Sequence, residues 1–150
     1  MYKRLLERPL KGNQSFFLFG PRGTGKSLFV KDSFHESLYI DLLNPAICHK
    51  YLAHPELLIE TVEGNPKKHV IVIDEIQKAP LLLDAVHLLI EKHKRIQFVL
   101  TGSSSRKLKR AGINLLGGRA LLKVLHPFIA CELGNLFDIN FRLLLGPRPC

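Results

Sequence analysis

Short apolar runs alternate along the chain with longer segments whose apolar residues recur at helical spacing. The short runs predict strands at 16–19, 38–41, 70–73, 96–100 and 119–125. The run 70–73 is continuously apolar and β-branched, which is typical of a parallel strand buried on both faces. We therefore predict five short strands, of which the third is fully buried.

Between these strands lie segments with the length and the punctuation of helices. They are predicted at 26–35, from Pro45 onward, at 55–64, after Pro80 and at 103–111. Asn44 is a typical cap for a helix that has proline in its first turn. The apolar stripe of the fourth helix consists of Leu82, Leu83, Val86, Leu89 and Ile90. This helix is expected to pack on a core.

The alternation of strands and helices predicts an α/β fold with a mostly parallel sheet and right-handed crossovers. Ligands of such sheets bind at the carboxyl ends of the strands. We therefore expect the functional side chains of this chain to lie at that edge.

A glycine-rich segment follows the first predicted strand and matches the pattern G-x-x-x-x-G-K-[ST]. Its residues are Gly20, Pro21, Arg22, Gly23, Thr24, Gly25, Lys26 and Ser27, with Leu28 next in the helix. Such a loop surrounds a phosphate with backbone N–H groups at the positive end of a helix. Lys26 is predicted to reach the β- and γ-phosphates, and the Ser27 hydroxyl to bind Mg²⁺. All nine residues are predicted to form the nucleotide site.

Two carboxylates follow the third strand, at its carboxyl end. Asp74 there is predicted to hold Mg²⁺ through a water, while Ser27 binds the ion directly. Glu75 is predicted to orient and partly deprotonate the water that attacks the γ-phosphate. The two residues complete a candidate site for nucleotide triphosphate hydrolysis.

Hydroxyl side chains follow the fourth strand. Either Ser103 or Thr101 is predicted to face the γ-phosphate, although the Thr-Gly-Ser-Ser segment is equally typical of a helix cap. Arg119, just before the fifth strand, is a candidate for stabilising the transferring phosphate, in its own subunit or in a neighbouring one. A solvated surface arginine is the alternative.

The nucleotide is predicted to be ATP rather than GTP. The Asn-Lys-x-Asp motif that reads guanine does not occur in the sequence. Adjacent acidic residues after the third strand also suit a hydrolytic ATPase better than a GTPase or a small-molecule kinase. The predicted cofactors are thus ATP and Mg²⁺, with no location for the base pocket.

Positive charge is concentrated in one part of the chain, which has a formal net charge of +9. No acidic residue lies between Glu91 and Glu132. The basic residues of this stretch are Lys92, Lys94, Arg95, Arg106, Lys107, Lys109, Arg110, Arg119 and Lys123. The cluster suggests an anionic partner, such as a nucleic acid or an acidic protein surface, or else a solvated face. No stacking aromatics interleave it.

The 150-residue length suits one domain. Cys48, Cys131 and Cys150 are far apart and outside any C-x-x-C pair, which indicates reduced thiols. No apolar run is long enough to cross a membrane, and the N-terminus lacks the apolar region of a signal peptide. We expect a cytoplasmic protein without a membrane partner.

These motifs together resemble the prokaryotic AAA-like P-loop ATPases whose core precedes a C-terminal domain of unknown function. The resemblance runs from about residue 3 to residue 134. Besides the loop, it depends on the segments 39–42, 71–78, 100–108, 115–120, 126–128 and 132–133. The Asp-Glu-Ile-Gln-Lys and Thr-Gly-Ser-Ser segments, in that order, are the most specific.

The resemblance implies the fold and the roles of the site residues. It implies a three-layer P-loop NTPase core with sheet order 5-1-4-3-2 and helices on both faces. It also implies phosphate and Mg²⁺ binding by Lys26 and Ser27, metal support by Asp74 and water activation by Glu75. Ser103, or else Thr101, is the implied γ-phosphate sensor, and Arg119 occupies an arginine-finger position. A homo-oligomer or a protein partner is consistent with it.

We expect residues 1–134 to form the ATPase core and residues 135–150 to form a truncated, poorly ordered tail. Because family members continue into a second domain, hydrolysis is expected to be slow or partner-dependent. Three other interpretations remain open: a non-catalytic nucleotide-binding interaction module, a nucleic-acid-associated ATPase that uses the basic region 92–123, and a fragment without function.

Overall fold

Parallel strands form one five-stranded sheet in the computed structural model, which describes residues 13–110 and 116–125. The strands are β1 (Phe16–Phe19), β2 (Leu38–Asp41), β3 (Val70–Asp74), β4 (Gln97–Gly102) and β5 (Leu121–Val124). Their order is β2-β3-β4-β1-β5, and all four neighbouring pairs are parallel. The predicted fold class and sheet order are confirmed, since the same order read from the other edge is 5-1-4-3-2.

Helices connect the strands. They are α1 (Lys26–Ser33), α2 (Pro45–Ala53), α3 (Leu57–Glu63), α4 (Leu82–Lys92) and α5 (Ser105–Arg110), with 3₁₀ turns at Ile76–Lys78 and Leu116–Gly118. None of the helices within the described ranges has the length and apolar character that a membrane crossing requires.

Side-chain caps begin two of these helices. The Asn44 side chain accepts a hydrogen bond from the Ala46 amide at 3.0 Å, with Pro45 at the first helical position, as the sequence predicts. The Ser104 hydroxyl accepts from the Arg106 amide at 3.2 Å. The cap within the Thr-Gly-Ser-Ser segment is therefore Ser104, which leaves Thr101 and Ser103 for other roles.

The two faces of the sheet bury different apolar clusters because side chains alternate along each strand. On one face Phe16, Leu18, Val72 and Val99 pack with Phe29 and Val30 of α1. On the other face Phe17, Phe19, Ile71, Ile73, Phe98 and Leu100 pack with α3, α4 and Leu108 of α5. The first turn of α1 is thereby held over the even-numbered positions of β3, which include Asp74.

Two predicted strand boundaries are wrong by two residues. β4 continues past Leu100 to Gly102, because it pairs with β1 as far as the partners Phe19 and Gly102. β5 begins at Leu121 rather than at Arg119, after the turn at Leu116–Gly118. Some predicted features lie outside the described residues: the end of the last predicted helix at Ala111, the tail 135–150, and the two cysteines Cys131 and Cys150. Cys48 is buried.

Candidate phosphate-binding site

The predicted phosphate loop is a fixed turn between β1 and α1. Gly23 and Gly25 have φ angles of 82° and 76°, in the left-handed region that glycine tolerates best. The Thr24 hydroxyl donates to the Pro21 carbonyl at 2.8 Å, and the Phe29 amide donates to the Gly25 carbonyl at 2.9 Å. The loop is therefore formed by its own hydrogen bonds, and α1 begins directly after it.

Lys26 lies folded against this loop. Its Nζ donates to the carbonyl oxygens of Gly20 and Pro21 at 2.6 and 3.1 Å, and the residue is 6% exposed. Burial lowers the pKa of the ammonium, and the nearby carboxylates of Glu75 and Asp74 partly offset that effect. The ammonium, the loop and both carboxylates thus share one region of the molecule.

Asp74 is held by three hydroxyl groups. Its Oδ2 accepts from Ser27 Oγ at 2.7 Å and from the Tyr39 hydroxyl at 2.5 Å. Its Oδ1 accepts from Thr101 Oγ1 at 2.5 Å. The residue is 2% exposed, so these hydrogen bonds replace most of its hydration. They fix the carboxylate against α1, β2 and β4 at once.

No role at the site was predicted for Tyr39 from the sequence. Burial, and then the hydrogen bond to Asp74, raise the pKa of its phenol well above the ordinary value. The phenol therefore stays protonated and remains a hydrogen-bond donor to the carboxylate. The sequence signal was only a tyrosine in a strand, which is more often explained by packing.

Thr101→Val is expected to lower the free energy of unfolding by about 1–3 kcal/mol, because the substitution leaves buried polar groups unpaired. The Thr101 hydroxyl donates to Asp74, and it accepts from the Glu75 amide at 3.1 Å. Urea denaturation measures the change. Thr61→Val is the matched control, since that half-buried hydroxyl bonds the Leu57 carbonyl and the Tyr51 hydroxyl. Equal losses in the two variants would contradict a special role for Thr101.

Glu75 follows Asp74 in an unusual backbone conformation. Its φ and ψ are 62° and 53°, the left-handed region that non-glycine residues adopt rarely. The Thr101 hydroxyl accepts a hydrogen bond from the Glu75 amide, and the Glu75 carboxylate accepts one from Gln77 Nε2. The turn directs Glu75 away from the path of β3, and such strained residues are concentrated at functional sites.

Four predicted site residues therefore come together: Lys26, Ser27, Asp74 and Glu75. Ser103 lies just beyond the end of β4, with its Oγ 3.4 Å from Gln77 Nε2. Thr101 is fully buried and bonded to Asp74, whereas Ser103 is half-buried. Of the two sensor candidates, only Ser103 has a hydroxyl that Asp74 does not use. Its sensor role stays a prediction.

Arg119 lies elsewhere, and the expectation that every candidate sits at the carboxyl ends of the strands is wrong for it. It precedes β5, which runs parallel to β1, so it lies where the strands begin. Its carbonyl accepts from Gln14 Nε2 at 3.0 Å, and its side chain pairs with Glu91 at the end of α4. Arg119 cannot reach the phosphate loop of its own chain without leaving this position.

The basic stretch is divided between several elements and is partly neutralised. Lys92 pairs with Glu63 at 2.5 Å, and Lys94 lies 3.6 Å from Glu91, which also pairs with Arg119. A cleft of about 550 Å³ near Lys92, Lys94 and Arg95 lies at the amino end of the strands and contains no predicted nucleotide-site residue. The sequence cluster is thus not one continuous phosphate-binding face.

The residues that face the loop offer a donor set suited to Mg²⁺. Ser27 and Asp74 supply a hydroxyl and a carboxylate oxygen 2.7 Å apart, and hard oxygen ligands are what this ion prefers. Within the described residues, no group of three or more His, Cys, Asp or Glu side chains forms a metal cage. A Mg²⁺ ion that keeps few protein ligands and binds substrate phosphates fits this arrangement.

The fold and the loop define a P-loop nucleotide-binding core: a parallel sheet in the order β2-β3-β4-β1-β5 with a glycine-rich phosphate loop between β1 and α1. The family model described as an AAA domain matches residues 12–134. The chain belongs to this family, and it is an AAA-like P-loop ATPase core.

Two solved structures are similar in fold. The structure of C. elegans PCH-2 is 14% identical, with a TM-score of 0.52, and the match covers 83% of this chain and 39% of that chain. Domain III of the Thermotoga maritima replication initiation protein DnaA is 16% identical, with a TM-score of 0.49, over 82% of this chain and 59% of that chain. The chain therefore spans less than two thirds of either structure. No curated protein matches the sequence.

Proposed function

We propose that this chain binds ATP with Mg²⁺ at the loop 20–27 and hydrolyses the β–γ phosphoanhydride bond, slowly or when a partner completes the site. The observation that carries the proposal is the 2.7 Å hydrogen bond between Ser27 and Asp74. It joins the start of α1 to the tip of β3, so that the loop and the acidic pair lie side by side.

The loop and Lys26 bind the triphosphate in this proposal. The backbone N–H groups of the loop and the amino end of α1 attract the phosphate oxygens. The Lys26 ammonium leaves the Gly20 and Pro21 carbonyls and turns to the β- and γ-phosphates. Burial disfavours the charged form of Lys26, so a phosphate anion beside the ammonium would stabilise that charge strongly.

Ser27 and Asp74 are the residues that would hold Mg²⁺, which neutralises the charge that develops on the phosphate oxygens. The Ser27 hydroxyl would exchange its hydrogen bond to Asp74 for a bond to the ion, and the Asp74 carboxylate would support the ion. Thr101 and Tyr39 keep the carboxylate oriented during this exchange. ATP is favoured over GTP because the sequence lacks Asn-Lys-x-Asp.

Glu75 is the proposed general base. Its carboxylate accepts a proton from the attacking water while that water is aimed at the γ-phosphate. Ser103 is the proposed sensor that contacts the γ-phosphate. Arg119 is paired with Glu91 at the other edge of the sheet, so it is proposed to act only on a neighbouring subunit. This separation supports turnover that is slow in an isolated copy and faster in an assembly.

Mg²⁺ and ATP together are expected to raise the thermal stability of the chain, because a ligand that binds only the folded state stabilises it. At a concentration of 100 Kd the gain is about 2.7 kcal/mol, which corresponds to roughly 5–10 °C in Tm. Differential scanning fluorimetry measures the shift. Adding EDTA should remove most of it, and Mg-GTP should give a smaller shift. Identical melting with and without millimolar Mg-ATP would contradict the proposal.

Two of the other interpretations differ from this one in measurable ways. A chain that binds Mg-ATP but shows no turnover under any condition is an interaction module gated by nucleotide. A nucleic-acid-associated ATPase requires turnover that DNA stimulates and binding that weakens steeply as salt increases. In the structure Lys92, Lys94 and Arg119 pair with acidic side chains. The basic stretch therefore has fewer unpaired cations to bind a nucleic acid than the sequence suggests.

A further inference from the structure

The side chain of Gln77 lies between the ends of β3 and β4. Its Nε2 contacts the Glu75 carboxylate and lies 3.4 Å from Ser103 Oγ. Gln77 belongs to the 3₁₀ turn Ile76–Lys78 that directly follows Glu75. One amide group thus touches both the proposed general base and the proposed sensor.

Gly102 provides the space for this amide. A Cβ atom at position 102 would lie 2.8 Å from Gln77 Oε1 and 3.1 Å from Phe19 Cε1, so any larger residue there would force a shift. β4 therefore shapes the slot in which the side chain of Gln77 rests, between the site and the aromatic core.

The other end of the amide makes no hydrogen bond. Gln77 Oε1 is buried and has no partner within the part of the chain that the structure describes. A buried acceptor without a donor costs free energy, so packing alone does not favour an amide here over an apolar side chain of equal length. The contacts of Nε2 are the specific contribution that the amide makes.

The backbone of Glu75 is already fixed by its hydrogen bond to Thr101, which leaves its side-chain torsions to be set by other contacts. Glu75 is 6% exposed, and Gln77 Nε2 donates a hydrogen bond to its carboxylate. A base must lie within hydrogen-bond reach of the attacking water, so a carboxylate free to rotate is less effective.

We propose that Gln77 is a positioning residue, which fixes the Glu75 carboxylate and links it to Ser103, so that base and sensor move as one unit. The proposal rests on the proposed ATPase function. Gln77 does not contact ATP in this scheme. It acts through Glu75, and it makes the orientation of the base depend on the hydroxyl that meets the γ-phosphate.

Gln77→Met tests this proposal, since methionine has a similar length and no amide. In single-turnover assays of the full chain with Mg-ATP, the hydrolysis rate is expected to fall about 10- to 100-fold, the range that misplacement of a reacting group produces. The Kd for ATP should change less than twofold. Gln97→Met is the matched control, because Gln97 is buried at the start of β4 and bonds the Gln14 carbonyl at 2.9 Å. It should keep the wild-type rate.

A double variant separates positioning from structure. If Gln77 acts through Glu75, Gln77→Met should have no further effect on the residual rate of Glu75→Gln. Gly102→Ala should slow hydrolysis in the same direction while the glutamine is retained, because the new methyl group displaces the amide. The double variant and Gly102→Ala should each melt within a few degrees of the wild type.

The outcomes distinguish this inference from the proposed function. A wild-type rate in Gln77→Met, with hydrolysis lost in Glu75→Gln, overturns the positioning role alone. A parallel loss of ATP affinity and of Tm in Gln77→Met also overturns it, in favour of a structural role. A wild-type chain that hydrolyses no ATP under any condition, or a hydrolysis rate that Glu75→Gln leaves unchanged, overturns the proposed function and this inference with it.

Discussion

Glu75→Gln is expected to retain Mg-ATP binding and to lose ATP hydrolysis by about 10²- to 10⁴-fold, the usual contribution of a general base. Glutamine has the shape of glutamate but cannot accept the proton of the attacking water. The contact with Gln77 survives in altered form, since an amide oxygen also accepts a hydrogen bond. Single-turnover hydrolysis and the affinity for a fluorescent ATP analogue measure the two effects separately.

Glu60→Gln is the control for that experiment. Glu60 is an exposed carboxylate on α3, so its replacement changes the net charge equally without touching the site. It should hydrolyse ATP at the wild-type rate. If Glu75→Gln and Glu60→Gln keep the same rate, Glu75 is not the base, and any turnover belongs to another residue or to a contaminant.

Lys26→Ala is expected to weaken ATP binding by about 2–5 kcal/mol, which is roughly 30-fold or more, because it removes a buried charge from its phosphate partner. Burial lowers the pKa of Lys26, so the folded chain without ligand carries a penalty for the ammonium at neutral pH. The variant removes this penalty together with two hydrogen bonds to the loop carbonyls, so its free energy of unfolding should stay close to that of the wild type. Isothermal titration with Mg-ATP and urea denaturation measure the two quantities.

Lys67→Ala is the matched control, since Lys67 is an exposed lysine shortly before β3, at the opposite edge of the sheet. It should bind Mg-ATP normally. Loss of affinity in both variants would mean that overall charge, rather than the phosphate loop, governs binding. Loss of folding in Lys26→Ala alone would mean that its two bonds to the loop carbonyls are structural.

The strands were predictable because each is a short apolar run, and β1 and β2 coincide with their predictions. The last residue of β4 and the first residue of β5 were not predictable in this way, because pairing with β1 sets both boundaries. Thr101 and Gly102 are small or polar residues that local pattern assigns to a turn, yet their backbones pair with Leu18 and Phe19. The order of the strands came from the resemblance, since periodicity does not contain it.

The candidate site was predictable where its residues are close in sequence or follow a buried strand. Lys26, Ser27, Asp74 and Glu75 meet these conditions. Tyr39 and Gln77 do not, because the role of each depends on a contact with another part of the chain. Tyr39 meets Asp74 because β2 pairs with β3, and Gln77 fits because Gly102 lacks a side chain. Arg119 was misplaced because it precedes β5, and a residue that precedes a strand of a parallel sheet lies at the amino edge, away from the ligand site.

The interior position of β1, between β4 and β5, has a consequence for synthesis of the chain. β1 comes earliest in the chain among the described strands, whereas both of its neighbours, β4 and β5, begin only at Gln97 and Leu121. The Gly20 amide, at the start of the phosphate loop, donates to the Gly102 carbonyl at 3.2 Å. During translation the Gly20 amide therefore has no Gly102 carbonyl to bind until the chain has been made through β4.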